Sequence, residues 1–395
     1  MEHGERVSSA RVPWNPPCKE SNVTDSHPTP LRYALIGCAA GIAPTHIQAL
    51  AQLPGTRIAA MSDIDAARGA ACAEATGCPF FTDHRTLLAE VRPDVAVICV
   101  PHPFHAPLAL DCFAAGAHVL VEKPMAVEVA EADAMIAAAE AAGRVLAVNF
   151  QYRFRPEVVH ARALVESGAL GKLVRALCVA PWFRTAAYYR SASWRGTWLG
   201  EGGGVLLNQA PHTLDALCHL VGLPTKVWGW TRTLAHAIEC EDTAQALLEY
   251  PNGAPGYLHI STVEAGASHR IEIVGDRAAL ELVNERLTIY RFEQPLSTFR
   301  DTSPGLFSSP HVTAEVVALQ PGDGGGHVAV HQDLQAAIRD GRRPHSDGRE
   351  GRMSLELANA IILSSHTERA VALPLDRAAY SALLTELRKD EGVSG

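Results

Sequence analysis

Between residues 31 and 150, short apolar runs alternate with alanine-rich segments of helical spacing, and this alternation narrows the possible folds more than any other feature of the chain. The runs are "YALIG", "RIAAMSD", "DVAVICV" at 94–100, "HVLVEKP" and "VLAVNF", with helices expected from about 43, from 64, up to Gly116 and up to Gly143. Continuous Val/Ile/Leu runs belong to strands buried on both faces, and a repeating strand–helix order joins such strands by right-handed crossovers. The expected fold class is therefore α/β, with an N-terminal Rossmann-type, doubly wound parallel sheet over 31–150. Past 151 the pattern changes to a helix near 156–167 and period-2 strands at 172–182, 225–235, 241–250, 254–263, 269–275, 277–282 and 285–290. That spacing predicts an α+β domain over 151–375 with a large, mainly antiparallel open sheet. Two amphipathic helices near 327–340 and 349–368 follow the glycine-rich "PGDGGGH", and 376–395 reads as a C-terminal helix and tail.

Composition excludes several classes of partner. The net charge is −9 and no long basic run exists, so neither nucleic acid nor an anionic membrane surface is an expected partner. No apolar run approaches the roughly 18 residues of a membrane-spanning helix. Residues 1–30 carry five prolines and no apolar core of a secretory signal, and read as a flexible tail. Nine cysteines are scattered without a Cys-x-x-Cys pair, which predicts free thiols, no cysteine-based metal site and a cytoplasmic location.

"LIGCAAGIAPTH" places Gly37 and Gly41, with Ala40 and Ile42, directly after the first strand and at the opening of a helix. Backbone N–H groups there can approach a pyrophosphate, because a helix N-terminus favours negative charge. The spacing is Gly-x-x-x-Gly and not the usual Gly-x-Gly-x-x-Gly. Asp63, 22 residues beyond Gly41 at the end of the second strand, can accept hydrogen bonds from the adenosine ribose or serve as a helix N-cap. Its carboxylate argues for NAD over NADP. A 2′-phosphate about 4 Å away would be repelled by roughly 4 kcal/mol per unit charge, and no arginine is adjacent in sequence to offset this.

Two further stretches carry chemistry. The buried run in "HVLVEKP" stops at Glu122 and Lys123, at the carboxyl end of a parallel strand, where open α/β sheets place their ligands. In "GEGGGVLLNQAPHTLD", three glycines precede Asn208, His212 and Asp215 at i, i+4 and i+7, which predicts one polar helix face. Gln151 and Arg153 follow the last Rossmann strand, and Tyr188, Trp194 and Arg195 precede the glycines. Flat aromatic faces with fixed donors suit a polyhydroxylated ring.

Taken in order, "VICVPHPFHAPLAL", "EKP", "WRGTW", "GGGVLLNQAPHTLD" and "DGREGRMSLELANAI" resemble the Gfo/Idh/MocA oxidoreductases over about 31–375. The resemblance implies an NAD(P)-dependent dehydrogenase acting on CH–OH groups of a sugar, glycoside or cyclitol. It implies Lys123 and His212 beside the nicotinamide and the substrate hydroxyl, and Val100, Pro101, His102, His105, Glu122 and Gln151 along the cofactor. His327 is an additional candidate. It also implies a homodimer or homotetramer formed through the C-terminal sheet. Many members carry aspartate where this chain has Asn208, which cannot ionise and is expected to hydrogen-bond a substrate hydroxyl. The same "NQ" form occurs in relatives acting on cyclic dihydrodiols, which leaves a dihydrodiol dehydrogenase as an alternative. A non-catalytic nucleotide-sensing regulator is another. Histidine titrates near 6.5 and lysine near 10.4 in free solution, so the reading takes His212 as the base, Asp215 as its orienting group and Lys123 as the donor to the developing alkoxide.

Overall fold

The computed structural model describes residues 29–319 and 325–389. The tail expected over 1–30 falls almost wholly outside these residues, as do most of the glycine loop at 321–327 and the end of the C-terminal tail.

The first sheet is formed by β1 (Leu31–Ile36), β2 (Thr56–Ser62), β3 (Phe80–Phe81), β4 (Val95–Ile98), β5 (His118–Val121) and β6 (Leu146–Val148), in the order β3-β2-β1-β4-β5-β6. All its pairings are parallel. Helices α1 (Ala43–Ala51), α2 (Ala66–Thr76), α3 (His84–Val91), α4 (His105–Ala114) and α5 (Val129–Ala142) connect the strands. Val95, Ala96, Val97 and Ile98 of β4 are fully buried, as a strand covered by helices on both faces must be. The apolar runs marked these strands. β3 and α3 escaped the pattern because β3 is only two residues long, although Asp83, which caps α3 by accepting from Thr86 N–H at 3.0 Å, is a start signal.

A 3-10 turn at Gln151–Phe154 leads into α6 (Pro156–Glu166) and the second sheet. Its members are β7 (Leu173–Pro181), β8 (Lys226–Arg232), β9 (Thr243–Glu249), β10 (Pro255–Ser261), β11 (Arg270–Gly275), β12 (Ala278–Val283), β13 (Arg286–Phe292), β14 (Val312–Val316) and β15 (Val371–Ala372). The order is β14-β13-β12-β11-β7-β10-β9-β8-β15; β10 runs parallel to β7 and the other neighbours are antiparallel. Helices α7 (Ala186–Arg190), α8 (Val205–Asn208) and α9 (Pro211–Val221) lie between β7 and β8 in sequence. α10 (Leu296–Thr302), α11 (Gly326–Asp340), α12 (Gly348–Thr367) and α13 (Arg377–Leu387) complete the chain. Strand β14 was missed by the periodicity because every residue of it is exposed, so no buried face shapes its sequence.

The segment 202–215 is not one helix. α8 ends at Asn208 and α9 starts at Pro211, since proline suits a first helical turn but has no N–H to continue the hydrogen-bond ladder of α8. The glycines ahead of α8 serve backbone packing. A Cβ on Gly202, whose φ is +77°, would stand 2.0 Å from Val127 Cγ1, and one on Gly204 would stand 1.9 Å from the carbonyl oxygen of Glu241. The Glu241 carboxylate then accepts the Gly204 and Leu206 N–H groups, both at 3.0 Å, and fixes α8 against the second sheet.

One continuous core joins the two sheets, running from Val121 and Val148 through Phe150 to Leu206, Leu214 and Leu280. Across it lies a buried ion pair. Arg153 Nε and Nη2 donate to the two oxygens of Asp215 at 2.8 and 2.7 Å, and Nη1 reaches the His345 carbonyl at 2.7 Å and Glu350. Arg153 thereby ties the turn after β6 to α9 and to the start of α12.

Removing one partner of a buried pair strands the other charge, at a cost of about 3–5 kcal/mol. Arg153→Met is accordingly expected to lose that much stability in urea unfolding, and Arg153→Met with Asp215→Leu to recover at least half of it. Equal stability of the single variant and the wild type would show that the pair does not anchor α9 to the turn after β6.

Candidate active site

The nucleotide end is built from the first two strand-to-helix turns. Gly37 has φ +89°, and a Cβ there would lie 2.6 Å from the Cys99 carbonyl oxygen and 2.8 Å from Val100 Cγ1. Only glycine lets the loop lie this close to the end of β4. A Cβ on Gly41 would meet nothing within 4 Å, so the space in front of α1 is open. The Ala40 N–H donates to the Gly37 carbonyl at 3.1 Å and Ile42 stands at the cap of α1. Asp63 reaches across: Oδ2 accepts the Ala39 N–H at 2.8 Å and Oδ1 the Asp65 N–H at 2.9 Å. The N-cap of α2 is Asp65, so the capping alternative for Asp63 is corrected by two residues. The expectation of no neighbouring arginine is also corrected, because Arg68, one turn into α2, donates from Nη2 to the Ala39 carbonyl at 2.6 Å.

The chemical end opens where β5 stops. Lys123 is partly exposed, and its Nζ donates to the Asn208 carbonyl at 2.8 Å, which brings the two motifs together across the domain boundary. Burial lowers the Lys123 pKa, while Glu122 and Glu201 pull it back up. His212, at the first turn of α9, stacks on Tyr152 with ring centroids 4.6 Å apart and planes at 20°. Its Nδ1 is buried and has no partner among the described residues. Burial first, and the Lys123 charge second, push its pKa down to about 3. Burial thus lowers both groups from the free-solution values used in the sequence reading: the His212 imidazole is neutral at pH 7, and Lys123 shifts toward neutrality.

Beside them Asn208 Nδ2 donates to Glu201 and, at 3.1 Å, to the Tyr188 hydroxyl oxygen. The same oxygen accepts from Arg195 Nη1 at 2.6 Å and Gln209 Nε2 at 3.1 Å. Arg195 stacks over Tyr188 and Trp194 at 4.4 and 4.5 Å, and Trp194 stands edge-on to His102. Burial raises the Glu201 pKa to about 7 against hydrogen bonds from Gly196 N–H and Asn208. Gln151 adds a buried side-chain oxygen without a partner among the described residues, aligned by sequence just past β6.

Five expected site residues have polar atoms engaged within the fold. Asp215 is fully buried against Arg153 and cannot orient His212. Arg153, 4% exposed, spends its donors on Asp215, Glu350 and His345 and is not available to a substrate. The two ring nitrogens of His105 each lie 2.8 Å from a main-chain oxygen, of Pro124 and of Val100, so this residue staples the β4 turn to the Lys123 loop. His102 Nδ1 lies 3.1 Å from the Glu201 carbonyl oxygen. Glu122 turns inward: Oε1 accepts from His46 Nε2 at 2.9 Å and from Asn149, and Oε2 accepts the Lys123 N–H at 3.2 Å. Burial alone would raise the Glu122 pKa, but His327, with Nε2 3.7 Å away, and the hydrogen-bonded His46 hold it well below the usual carboxylate range.

That inward cluster was not read from the sequence. His46 Nδ1 lies 2.9 Å from His331 Nε2, so a chain of imidazoles runs back from Glu122, and the ligand atoms of His46, Glu122 and His327 lie within 4.8 Å of one another, as a metal ion would need. Glu122 Oε1 already has two donors there. Tyr152, between the named Gln151 and Arg153, and Glu201 and Gln209, inside a quoted motif, were also missed; nothing in local spacing tells which residue of such a stretch faces the cleft.

Residues 31–150 match the family described as "Oxidoreductase family, NAD-binding Rossmann fold", and residues 158–281 match the "GFO/IDH/MocA C-terminal domain". The WlbA dehydrogenase of Chromobacterium violaceum, solved with NADH and UDP-GlcNAcA, superimposes with a TM-score of 0.76 at 29% identity, covering 88% of this chain and 97% of that one. D-apiose dehydrogenase of Paraburkholderia graminis is 27% identical over 86% of this chain and 89% of that protein. D-glucoside 3-dehydrogenase of Escherichia coli is 30% identical over 50% of this chain and 55% of that protein. The open glycine turn, Asp63 and the orphaned Gln151 oxygen fit a dinucleotide laid across the carboxyl ends of β1, β4 and β5. The chain is a member of the Gfo/Idh/MocA family of NAD-binding oxidoreductases.

Proposed function

We propose that this protein is an NAD-dependent dehydrogenase of a secondary alcohol in a sugar, glycoside or cyclitol. The observation that carries the reading is the contact between the Lys123 ammonium and the Asn208 carbonyl, which ties the carboxyl end of β5 to the segment that carries His212 four residues on, within reach of the lysine's charge. One relative was solved in complex with UDP-GlcNAcA and another is a D-glucoside 3-dehydrogenase, which supports a sugar ring as the class.

Gly37, Gly41 and Asp63 would hold the pyrophosphate and adenosine end of NAD, and Gln151 would meet the nicotinamide end. Bound NAD supplies the hydride acceptor. The chain's own residues manage the proton, since an alcohol that gives up hydride must also give up its hydroxyl proton. Lys123, with its pKa lowered by burial, takes that proton in its neutral form. The neutral His212 ring donates a ring N–H to the oxygen of the same hydroxyl and orients it, and Asn208, Tyr188 and Arg195 bind neighbouring hydroxyls. Tyr188, Trp194 and Arg195 present flat faces to the C–H side of the ring.

Lys123→Ala is expected to lower kcat by about 10²–10⁴-fold, the range of a positioned acid or base, and His212→Ala by less. The sign of the pH dependence follows from the two shifts. Lys123 acts only when deprotonated, so kcat/KM rises with pH toward a pKa below the ordinary lysine value. His212, at about 3, contributes no limb between pH 5 and 8. Turnover of a panel of sugars, glucosides and inositols, followed by reduced-cofactor absorbance, measures both; a limb near pH 6.5 that disappears in His212→Ala would return the base role to the histidine.

The outer face of the second sheet pairs with another copy in this reading. Trp228, Leu247 and Tyr257 stand side by side across β8, β9 and β10 and are 43%, 59% and 36% exposed. Contiguous apolar surface of this kind marks an interface. Light scattering is expected to give a multiple of the 42.2 kDa chain mass, and Leu247→Glu to lower it; a monomeric mass for the wild type would exclude the pairing.

A further inference from the structure

A cavity of about 360 Å³ lies one ring beyond His212, and none of the family-motif residues discussed above accounts for it. Its wall includes Tyr152, Arg155, Trp182, Thr213, His269 and Asn284. The volume falls in the range of small-molecule pockets, about 300–1,000 Å³. Two connections tie it to the catalytic opening. Tyr152 is at once a wall of the cavity and the ring on which His212 stacks, with Thr213 next along the chain. On the other side Arg184 bridges Trp182 at 5.8 Å and Tyr188 at 5.1 Å, and the Tyr188 oxygen accepts from Asn208.

The walls have the chemistry of a ring-binding subsite. Trp182 is fixed by its N–H donating to the Ser261 carbonyl at 2.6 Å and by His269 packed edge-on at 4.1 Å. Its indole Nε1 is buried and has no acceptor among the described residues. A buried donor without an acceptor is costly to keep, and a ligand oxygen entering this cavity would supply the missing partner. Arg155 lies 3.5 Å over the Tyr152 ring, which keeps that face flat. The charged residues on the wall balance, Arg155 and Arg270 against Glu157 and Glu285, and Arg270 is already paired with Glu281 at 2.8 Å. An uncharged flat ring therefore fits better than a strongly anionic group.

Resting on the reading of the catalytic opening as a sugar dehydrogenase site, we infer that the substrate is a two-part molecule, a glycoside whose aglycone is a flat ring carrying a hydrogen-bond acceptor, seated against Trp182 with the acceptor on its indole N–H. Free monosaccharides leave this cavity empty. An aryl group and a nucleobase share the required chemistry.

The test measures affinities by titration calorimetry on the NADH-loaded protein, with methyl glucoside, 4-nitrophenyl glucoside and UDP-glucose as probes, and with 4-nitrophenol alone. The aryl glucoside is expected to bind at least about fivefold more tightly than the methyl glucoside, the scale of one aromatic contact. Trp182→Ala is expected to erase that ratio, and Trp182→Phe, which keeps a ring and a fold but loses the N–H, to reduce it partway. A UDP-glucose advantage that is also lost in Trp182→Ala assigns the ring to a nucleobase, and an advantage for the aryl glucoside alone assigns it to an aryl aglycone. Equal affinities of the three glucosides in the wild type, or a ratio unchanged in both Trp182 variants, would overturn the inference. Should no glucoside bind, the sugar reading fails, and binding of 4-nitrophenol that depends on Trp182 still reports the cavity; its absence then overturns the subsite as well.

Discussion

Everything in the cleft depends on where one guanidinium is held. Arg153 stands at the exit of the first sheet, and its donors are divided between Asp215 on α9, Glu350 on α12 and the His345 carbonyl. Burial pushes the Asp215 carboxyl upward even with Arg153 against it, so the pair contributes geometry more than net stability. The geometry is what matters. With α9 anchored three residues past His212, the imidazole cannot drift from the loop that carries Lys123.

Around that anchor the charges are arranged to leave Lys123 adjustable. Glu122 stays ionised because His46 and Asn149 donate to it, and it faces away from the opening. Glu201, with a pKa near 7, sits close to Asn208 and 3.9 Å from Arg195. The lysine thus feels one committed carboxylate and one that titrates close to neutrality, while Arg184 and Arg195 weigh against its charge. Low-dielectric surroundings magnify each of these influences. A lysine whose pKa is lowered from its ordinary value takes and returns a proton more readily at neutral pH.

The parallel sheet was legible because strands covered on both faces must be apolar throughout, as β4 is. The two motifs were legible because their residue types are odd for their places: a lysine ending a core strand, a polar row after three glycines. Other features had no local signature. Arg153 and Asp215 are 62 positions apart, so reading each beside its sequence neighbours made one a substrate contact and the other a partner of His212. The break before α9 could have been taken from Pro211, which the periodicity of 208, 212 and 215 outweighed. The base assignment rested on free-solution pKa values, which hold only for solvated groups, and burial is a property of the fold. Nor could spacing reveal that Tyr152 stacks on His212, since that contact joins two elements packed from different sides.

The convergence of ammonium and imidazole is tested most directly by a crystal structure of the protein with NADH and a glucoside. The account predicts one ring hydroxyl within hydrogen-bond reach of both Lys123 Nζ and a ring nitrogen of His212, on a carbon that faces the nicotinamide. A sugar touching only one of the two, or a nicotinamide turned away from both, would contradict it.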